Sequence, residues 1–196
     1  MAISAPARSH PSDDLRAAAT ELFASAGYAG TSLQQIADAA GYSKSSVLYH
    51  FASKEAILEA ALGPAIDRLE AVLADVADLA GTSAQRTGFV ERFIDFLFEY
   101  RLEVHTFINQ GQSLTDIPVI ERANRTVTRL AESVSTDFES VEERVRFGVA
   151  LGGAAYTLVA GTNFSEGDLP LPEFRAALVT TVSDLLIPVR PRRARN

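Results

Sequence analysis

Apolar residues recur at helical spacing along almost the whole chain, and glycines and small hydroxyl residues divide them into segments. In the first segment Leu15, Leu22 and Phe23 share one face with alanines between them, and Gly27 stands where the pattern stops. This spacing is typical of an amphipathic α-helix, and glycine is typical of the residue that follows a helix. No stretch of useful length alternates between apolar and polar residues as a β-strand would. The sequence therefore predicts an all-α protein.

Two overlapping residue pairs mark the beginning of a second helix, which Gly41 ends. Thr31 with Gln34 and Ser32 with Gln35 both have the spacing of a capping box, and the sequence does not choose between them. The other predicted boundaries are Ser12 as the first N-cap, Ser43 as the cap of a third helix, and Ser53 as the cap of a fourth helix that runs to Ala80. Later helices are predicted in a phenylalanine-rich segment after Gly81 and over residues 104–114, 119–136, 141–160 and 172–187.

The stretch GYSKSSVLYHFASKEAIL, residues 41–58, places small polar residues at the start of the third helix. Two short helices joined by a turn that contains glycine form a helix-turn-helix, whose second helix can enter a DNA groove. Here that helix begins with Lys44, Ser45 and Ser46, whose side chains suit close approach to phosphates or base edges. Lys54 lies in the first turn of the next helix, where a cation gains from an external anion such as a DNA phosphate. The alternative interpretation is a helical hairpin with a solvated polar face.

The segments AAATELFASAGYAGTSLQQIADAAG and YSKSSVLYHFASKEAIL, between Leu15 and Leu58, closely resemble the DNA-binding domain of TetR-family transcriptional regulators. The rest of the chain is similar to that family only in helical content and length. The resemblance implies an all-helical homodimer whose recognition helices bind successive major grooves of a palindromic operator in double-stranded DNA. It also implies a repressor that a small-molecule effector releases from DNA. The DNA-binding residues that it implies are Thr31, Ser32, Tyr42, Lys44, Ser45, Ser46, Tyr49, His50 and Lys54, with Thr31 and Lys54 as phosphate contacts.

One tetrapeptide departs from the family pattern. Members often have Tyr-His-Tyr-Phe at the end of the recognition helix, whereas this chain has Leu48-Tyr49-His50-Phe51. The position of the usual phosphate-contacting tyrosine is therefore Leu48. Either Tyr49 or His50 is expected to take over that contact, and the sequence leaves both open.

Aromatic residues concentrate in the segment after Gly81, where apolar side chains cover nearly the whole predicted helix surface. A helix that is apolar on most sides is buried on most sides, so plain core packing explains any single phenylalanine. The resemblance to the TetR family offers the alternative of an effector pocket, and aromatic walls with few polar groups suit a hydrophobic or amphipathic molecule. The expected effector-binding residues are Phe93, Phe96, Tyr100, Arg101, His105, Phe107, Asn109 and Tyr156.

Small residues line one face of the helix predicted over residues 141–160. Gly148, Gly152 and Ala155 permit close contact with another helix, either within the core or across a subunit interface. The resemblance places the last two helices in a four-helix bundle between subunits, which two-fold DNA recognition also favours. The expected interface residues are Gly148, Gly152, Ala155, Phe174, Leu178, Thr181 and Leu185.

Charge and composition limit the classes of function. The formal net charge is −7 and the acidic residues lie mainly after residue 55, so DNA binding by the nearly neutral first part needs placed contacts. The chain has no cysteine and no catalytic or glycine-rich phosphate motif, so no enzyme activity, cofactor or metal is predicted. The N-terminus lacks the apolar core of a signal peptide, and a cytoplasmic protein without membrane contact is expected. The alternative function is a helical small-molecule carrier or enzyme with a merely structural helix-turn-helix.

Four regions are expected: a disordered tail over residues 1–11, a DNA-binding domain over 12–57, an effector-binding and dimerisation domain over 58–187, and an Arg-rich disordered tail over 188–196. Gly63 and Pro64 lie inside the fourth predicted helix. Proline cannot donate a backbone hydrogen bond and costs roughly 3 kcal/mol inside a straight helix. That helix is therefore predicted to kink or break, with a second piece that begins at Pro64 and serves either as a static kink or as a hinge.

Overall fold

The computed structural model describes residues 10–76, 78, 82–137, 140–164 and 170–186. Residues 1–9 and 188–196 of the two predicted tails lie outside the described residues, as do the predicted helix ends at Ala80 and Ile187. Within the described ranges the chain forms helices joined by short turns and contains no strand, which confirms the all-α prediction. None of the helices in these ranges is long and apolar enough to cross a membrane.

Helices make up most of the described chain and fall into two compact units. The first unit contains Met1–Pro64 and His105–Glu121, and the second contains Ala65–Val104 and Arg122–Asn196. The predicted domain boundary between residues 57 and 58 falls inside a helix and stays a prediction. The described helices are α1 (Pro11–Ala26), α2 (Leu33–Ala40), α3 (Lys44–His50), α4 (Lys54–Leu73), α5 (Ser83–Glu99), α6 (Arg101–Gln110) with a 3₁₀ turn at Gly111–Ser113, α7 (Pro118–Asp137), α8 (Val141–Phe164) and α9 (Leu171–Leu185).

Side-chain caps fix where the short helices begin. The Ser32 hydroxyl accepts a hydrogen bond from the Gln35 N–H at 3.2 Å, and the Gln35 side chain accepts one from the Ser32 N–H at 2.8 Å. This capping box settles the open choice in favour of Ser32, and Thr31 stays outside the helix. Ser43 and Ser53 cap α3 and α4 as predicted.

Several helices differ from the prediction at their ends, α1 and α4 among them. The predicted N-cap at Ser12 is wrong, because α1 begins at Pro11 with His10 in the N-cap position and no side-chain cap. Proline suits the first helical position, since its missing N–H would have no partner there. Helix α4 ends at Leu73, where the chain enters turns, and so does not run to the predicted end.

The first unit has its own apolar core. Leu15 and Phe23 of α1, Ile36 of α2, Val47 of α3 and Ile57 of α4 are each at most 1% exposed. Helix α2 packs against both α1 and α3. Isolated helices this short are marginal in water, so their stability comes mainly from burial, at about 25 cal/mol per Å² of apolar surface. Anchoring α3 on one side leaves its other side in solvent.

The second unit is built around α5. Phe89, Val90, Ile94 and Leu97 point to different sides of this helix and are each at most 1% exposed. Helix α5 packs against α8 and α9, and the rings of Phe89 and Phe93 lie parallel with centroids 6.5 Å apart. The core-packing interpretation of the phenylalanine-rich segment therefore holds for the residues that point into this core.

Helix α4 continues through Pro64 without a break, so the prediction of a second helix that begins at Pro64 is wrong. Leu62 before the proline and Ile66 after it are both buried, with 3% and 5% exposure. Burial of apolar side chains on both sides favours a continuous helix and offsets the hydrogen bond that proline lacks. The hinge role of this position stays a prediction.

Candidate nucleic-acid interface

The turn between α2 and α3 is set by Gly41. Its φ of +76° and ψ of 26° lie in the left-handed region, which glycine adopts without steric cost. The Gly41 N–H donates to the Asp38 carbonyl at 3.2 Å, and the Tyr42 N–H donates to the Ala37 carbonyl at 2.8 Å. These bonds satisfy carbonyl groups at the end of α2 and turn the chain sharply into α3. The two helices therefore form the predicted helix-turn-helix.

The start of α3 presents polar side chains to solvent. The Ser43 hydroxyl accepts the Ser46 N–H at 3.1 Å, so Ser43 is engaged as a cap. Lys44 and Ser45 are exposed and Ser46 is half-buried, whereas Val47 on the opposite side is fully buried. One face of α3 is thus fixed in the core, and the other displays a cation and small hydroxyl groups.

The second turn of α3 displays an aromatic residue. Tyr49 is 85% exposed and Leu48 is 48% exposed, whereas His50 is half-buried. The rings of Tyr49 and His50 are arranged edge to face, with centroids 5.1 Å apart. Tyr49 therefore lies on the solvent side of this short helix, away from the core of the first unit.

Tyr42 has a structural partner within the first unit. Its hydroxyl donates to Asp14 Oδ2 at 2.9 Å, which joins the α2–α3 turn to the first turn of α1. This hydrogen bond raises the pKa of Tyr42, with smaller contributions from burial and from the negative charge of Asp14. The predicted DNA contact of Tyr42 must therefore coexist with this bond.

Thr31 faces the interior, contrary to its predicted role. Its side chain is 2% exposed, and its hydroxyl lies 2.8 Å from the Gly27 carbonyl and 3.2 Å from the Leu22 carbonyl. The turn after α1 folds back over the helix end, so the Thr31 hydroxyl reaches one carbonyl in the last turns of α1 and one in the turn itself. The predicted phosphate contact of its hydroxyl does not fit this position. Ser32, in contrast, is exposed.

The ammonium group of Lys54 also forms hydrogen bonds within the first unit. Its Nζ donates to the carbonyl oxygens of Tyr28 at 2.8 Å and Thr31 at 2.9 Å, and it lies 4.2 Å from the centroid of the Tyr28 ring. Two carbonyl groups of the turn over residues 27–31, hereafter the α1–α2 turn, thereby obtain a charged donor. The predicted phosphate contact of Lys54 stays a prediction, and two of the three ammonium hydrogens already have partners within the first unit.

Tyr28 is held at its hydroxyl end as well. The hydroxyl donates to Glu55 Oε1 at 3.0 Å. The pKa of Tyr28 is raised to about 12, first by burial and then by the hydrogen bond and the negative charge of the Glu55 carboxylate. The pKa of Glu55 is lowered, first by its own backbone N–H and then by the Ser53 and Tyr28 hydroxyls. The beginning of α4 and the α1–α2 turn are thus joined by several polar contacts.

The expected effector-binding residues do not share one environment. Phe93 and Phe96 are buried in the core of the second unit, and the Tyr100 ring lies against Phe96 with centroids 5.7 Å apart. Burial raises the pKa of Tyr100, as does the charge of Glu99. The remaining candidates are His105 and Phe107, which are half-buried, and Arg101, Asn109 and Tyr156, which are exposed.

The expected interface residues also divide into two groups. Leu178 is buried within the second unit, and Ala155, Phe174 and Leu185 pack against the same core. Gly148, Gly152 and Thr181 are exposed, and a Cβ added at either glycine would meet no atom within 4 Å. Among the described residues, none therefore packs closely against Gly148 or Gly152.

Sequence reasoning missed the large apolar residues that flank these glycines. Val141, Val145, Val149 and Tyr156 of α8 are 75%, 57%, 56% and 62% exposed. With Gly148 and Gly152 they form one side of the helix, hereafter the α8 face. The spacing of four residues from Val141 to Val149 was the signal that could have found it.

A family model for "Bacterial regulatory proteins, tetR family" matches residues 15–61, the part of the chain that contains this helix-turn-helix. Residues 15–61 therefore have the sequence of a TetR-family DNA-binding domain. Among curated TetR-family relatives, the HTH-type transcriptional regulator RutR of Escherichia coli K12 is 45% identical over 67 residues, 32% of either chain. The HTH-type transcriptional repressor KstR2 of Mycolicibacterium smegmatis is 28% identical over 107 residues, 54% of this chain and 52% of that protein. The matches therefore span about a third to a half of these relatives.

Solved TetR-family structures share the fold over nearly the whole chain. The ketosteroid transcriptional regulator KstR2 of Mycobacterium tuberculosis superposes with a TM-score of 0.68, at 18% identity, over 94% of this chain and 97% of that one. SCO3833 of Streptomyces coelicolor superposes with a TM-score of 0.66, at 24% identity, over 94% and 91%. At these identities the likeness establishes the fold alone.

Proposed function

We propose that this protein is a homodimeric repressor that binds a near-palindromic operator and is released from it by a hydrophobic or amphipathic small molecule. The observation that carries the proposal is the exposed side of α3, where Lys44, Ser45 and the 85% exposed Tyr49 stand opposite the fully buried Val47. The buried face of α3 is fixed in the core. Its polar and aromatic face can therefore enter a major groove without rearrangement.

The roles of the side chains follow from their chemistry. Lys44 supplies a charge for a phosphate, and the hydroxyls of Ser45 and Ser46 can donate to or accept from base edges. Tyr49 is the better candidate for the contact usually made by the position of Leu48, because His50 is half-buried. Ser32 is exposed at the start of α2 and is kept as a further candidate for a contact with the phosphate backbone of DNA.

Dimerisation is supported by the α8 face. Four large apolar residues and two open glycines on one helix form a surface on which a second helix can pack closely. Leaving such a surface in water is unfavourable, and a two-fold interface would bury it on both subunits at once. Two recognition helices related by that axis would then match a palindromic site.

The effector class is supported by the aromatic content of the second unit. Helix α5 contributes Phe89, Phe93 and Phe96, and the Tyr100 ring extends this row to the end of the helix. Aromatic walls favour apolar ring systems or chains over polar metabolites. The resemblance to the ketosteroid regulator KstR2 points to the same chemical class.

Selection of DNA from a random library with the wild-type protein tests the proposal. We expect enrichment of a site with two-fold symmetry, and a loss of affinity for that site in Tyr49→Ala by about ten- to a hundredfold, since a hydrogen bond to a charged phosphate contributes roughly 1.5–3 kcal/mol. Ser45→Ala should weaken binding, whereas Ser83→Ala, an exposed serine at the start of α5, should bind as the wild type does. No enrichment of any sequence would contradict the proposal.

A further inference from the structure

The last residue of α6 is joined to the α1–α2 turn by both ends of its side-chain amide. Gln110 Nε2 donates to the Phe23 carbonyl at 2.7 Å, and Gln110 Oε1 accepts the Tyr28 N–H. All three residues belong to the first unit, although 82 positions separate Gln110 from Tyr28. One planar group therefore bonds the end of α1 and the turn that follows it.

Both backbone groups need such a partner. The Phe23 carbonyl belongs to the last turn of α1, whose carbonyls have no further helical N–H to bond, and the Tyr28 N–H follows the sharp bend at Gly27. Gly27 has a φ of +79°, and a Cβ added there would lie 3.4 Å from Gln110 Oε1. Glycine thus allows both the bend and the close approach of the amide.

The same turn is held from another side by Lys54, which bonds the carbonyls of Tyr28 and Thr31. The α1–α2 turn is therefore attached by side chains to α4 and to α6. Each of these helices belongs in part to each unit: α4 passes from the first to the second after Pro64, and α6 passes from the second to the first after Val104. Any movement of α6 along its axis would act directly on the two hydrogen bonds of Gln110.

We propose that Gln110 is a positioning residue through which α6 fixes the orientation of the helix-turn-helix and thereby sets operator affinity. The inference rests on the proposed function, because it needs an operator whose affinity can change. With the amide in place, α1 and the α1–α2 turn are already ordered before DNA binds, and little ordering remains to oppose binding. When α6 moves, the Gln110 amide cannot keep both hydrogen bonds, and it then no longer fixes the orientation of the helix-turn-helix.

A simpler role for Gln110 is to cap the end of α1 and stabilise the fold. The two roles differ in what they predict for binding at a temperature well below unfolding. A cap lowers the stability of the first unit and leaves the operator affinity of the folded protein unchanged. A positioning residue also changes that affinity, and it does so for the operator more than for unrelated DNA.

The test compares three full-length variants on the DNA site selected by the wild type. Gln110→Met keeps the length of the side chain and removes both hydrogen bonds. Thr31→Val removes the hydroxyl that bonds the Gly27 carbonyl, so it weakens the same turn and leaves α6 attached. Gln112→Met changes an exposed glutamine two residues further along. Gln110→Glu, which keeps only the acceptor for the Tyr28 N–H, replaces Gln110→Met if that variant does not fold.

We expect Gln110→Met to lose about tenfold in operator affinity, which corresponds to roughly 1.4 kcal/mol, with affinity for unrelated DNA unchanged. Hydrogen exchange of the Tyr28 amide should accelerate in the same variant. Thr31→Val and Gln112→Met should stay within about twofold of the wild-type operator affinity. Unchanged affinity in Gln110→Met, or an equal loss in Thr31→Val, would overturn the inference.

Failure of the proposed function gives a different result. If the wild type selects no DNA, the repressor proposal is overturned together with the effect on affinity. Hydrogen exchange at Tyr28 then still decides whether Gln110 holds the turn, because it needs no operator. If the wild type binds its site and Gln110→Met binds it equally well, the inference alone is wrong.

Discussion

The ammonium of Lys54 lies over the ring of Tyr28, 4.2 Å from the ring centroid, and also donates to the carbonyl oxygen of the same residue at 2.8 Å. A third contact, to the Thr31 carbonyl, uses a second hydrogen of the ammonium. A cation over an aromatic face and two charged hydrogen bonds each stabilise the folded state. Lys54 therefore holds the α1–α2 turn, a role that its position at the start of a helix does not reveal.

Lys54→Ala should destabilise the protein more than it weakens DNA binding. Loss of hydrogen bonds from a charged donor costs roughly 1.5–3 kcal/mol, so the free energy of unfolding in urea should fall by about that amount. Lys44→Ala is the matched control. It should leave the unfolding free energy nearly unchanged and reduce the salt dependence of DNA binding by about one counterion. Equal stability of Lys54→Ala and the wild type would contradict the internal role.

Val149→Glu should convert the dimer into monomers. Val149 is 56% exposed on the α8 face, and a carboxylate there would have to be buried without a partner in the interface. Val127→Glu, which changes an exposed valine of α7, should leave the dimer intact. Light scattering at micromolar concentration measures the mass of each variant. A dimeric Val149→Glu protein would show that the α8 face is not the interface.

The contact between Arg122 and Glu70 should make stability depend on pH in the acid range. Arg122 Nη2 lies 2.7 Å from Glu70 Oε2 and 2.6 Å from Asp67 Oδ1, and Arg122 Nε lies 3.2 Å from Glu70 Oε1. The Arg122 guanidinium lowers the pKa of Glu70 below its ordinary value of 4.5, with a further hydrogen bond from Thr126. A lowered carboxyl pKa contributes stability above the unfolded value, and this contribution is lost as the pH falls through the folded value.

The Glu70→Gln variant should therefore have a lower free energy of unfolding than the wild type at pH 7. On acidification below the ordinary carboxyl pKa of 4.5, its free energy of unfolding should fall less than that of the wild type. The pair is partly exposed, so the difference should stay below about 1 kcal/mol. Glu59→Gln, an exposed position on the same helix, serves as the control in urea unfolding at both pH values. A wild-type pH dependence in Glu70→Gln would show that the pair does not contribute.

Gly63→Ala should stabilise the protein by about 1 kcal/mol, because alanine favours a helix interior over glycine. A Cβ at this position would meet no atom within 4 Å, so no steric cost opposes the gain. Combined with Pro64→Ala, which restores a backbone donor inside α4, the change should keep operator binding and alter the effector dose response. A lower melting temperature would contradict the first expectation, and an unchanged dose response would refute the hinge.

Local signals in the sequence determined the helices and the outward side of α3. Glycine at Gly41 and hydroxyls at Ser43 and Ser53 act on backbone groups within four residues, so their effects are visible in a short segment. The buried and exposed sides of α3 likewise follow from the helical repeat. The same reasoning predicted a kink or a break at Pro64, but burial on both sides of the proline kept α4 continuous.

Only the tertiary structure decided which polar side chains face inward. Thr31 and Ser32 are equivalent as caps in the sequence, and the fold of the α1–α2 turn buries the first and exposes the second. Lys54 is 26 residues from Tyr28, and Gln110 is 82 residues from it. The fold brings these residues close together in space. Backbone carbonyl and N–H groups at the end of α1 and in the α1–α2 turn then form hydrogen bonds with the side chains of Lys54 and Gln110. Such partners carry no periodic signal, because a buried hydrogen bond depends on proximity in space and not on spacing along the chain.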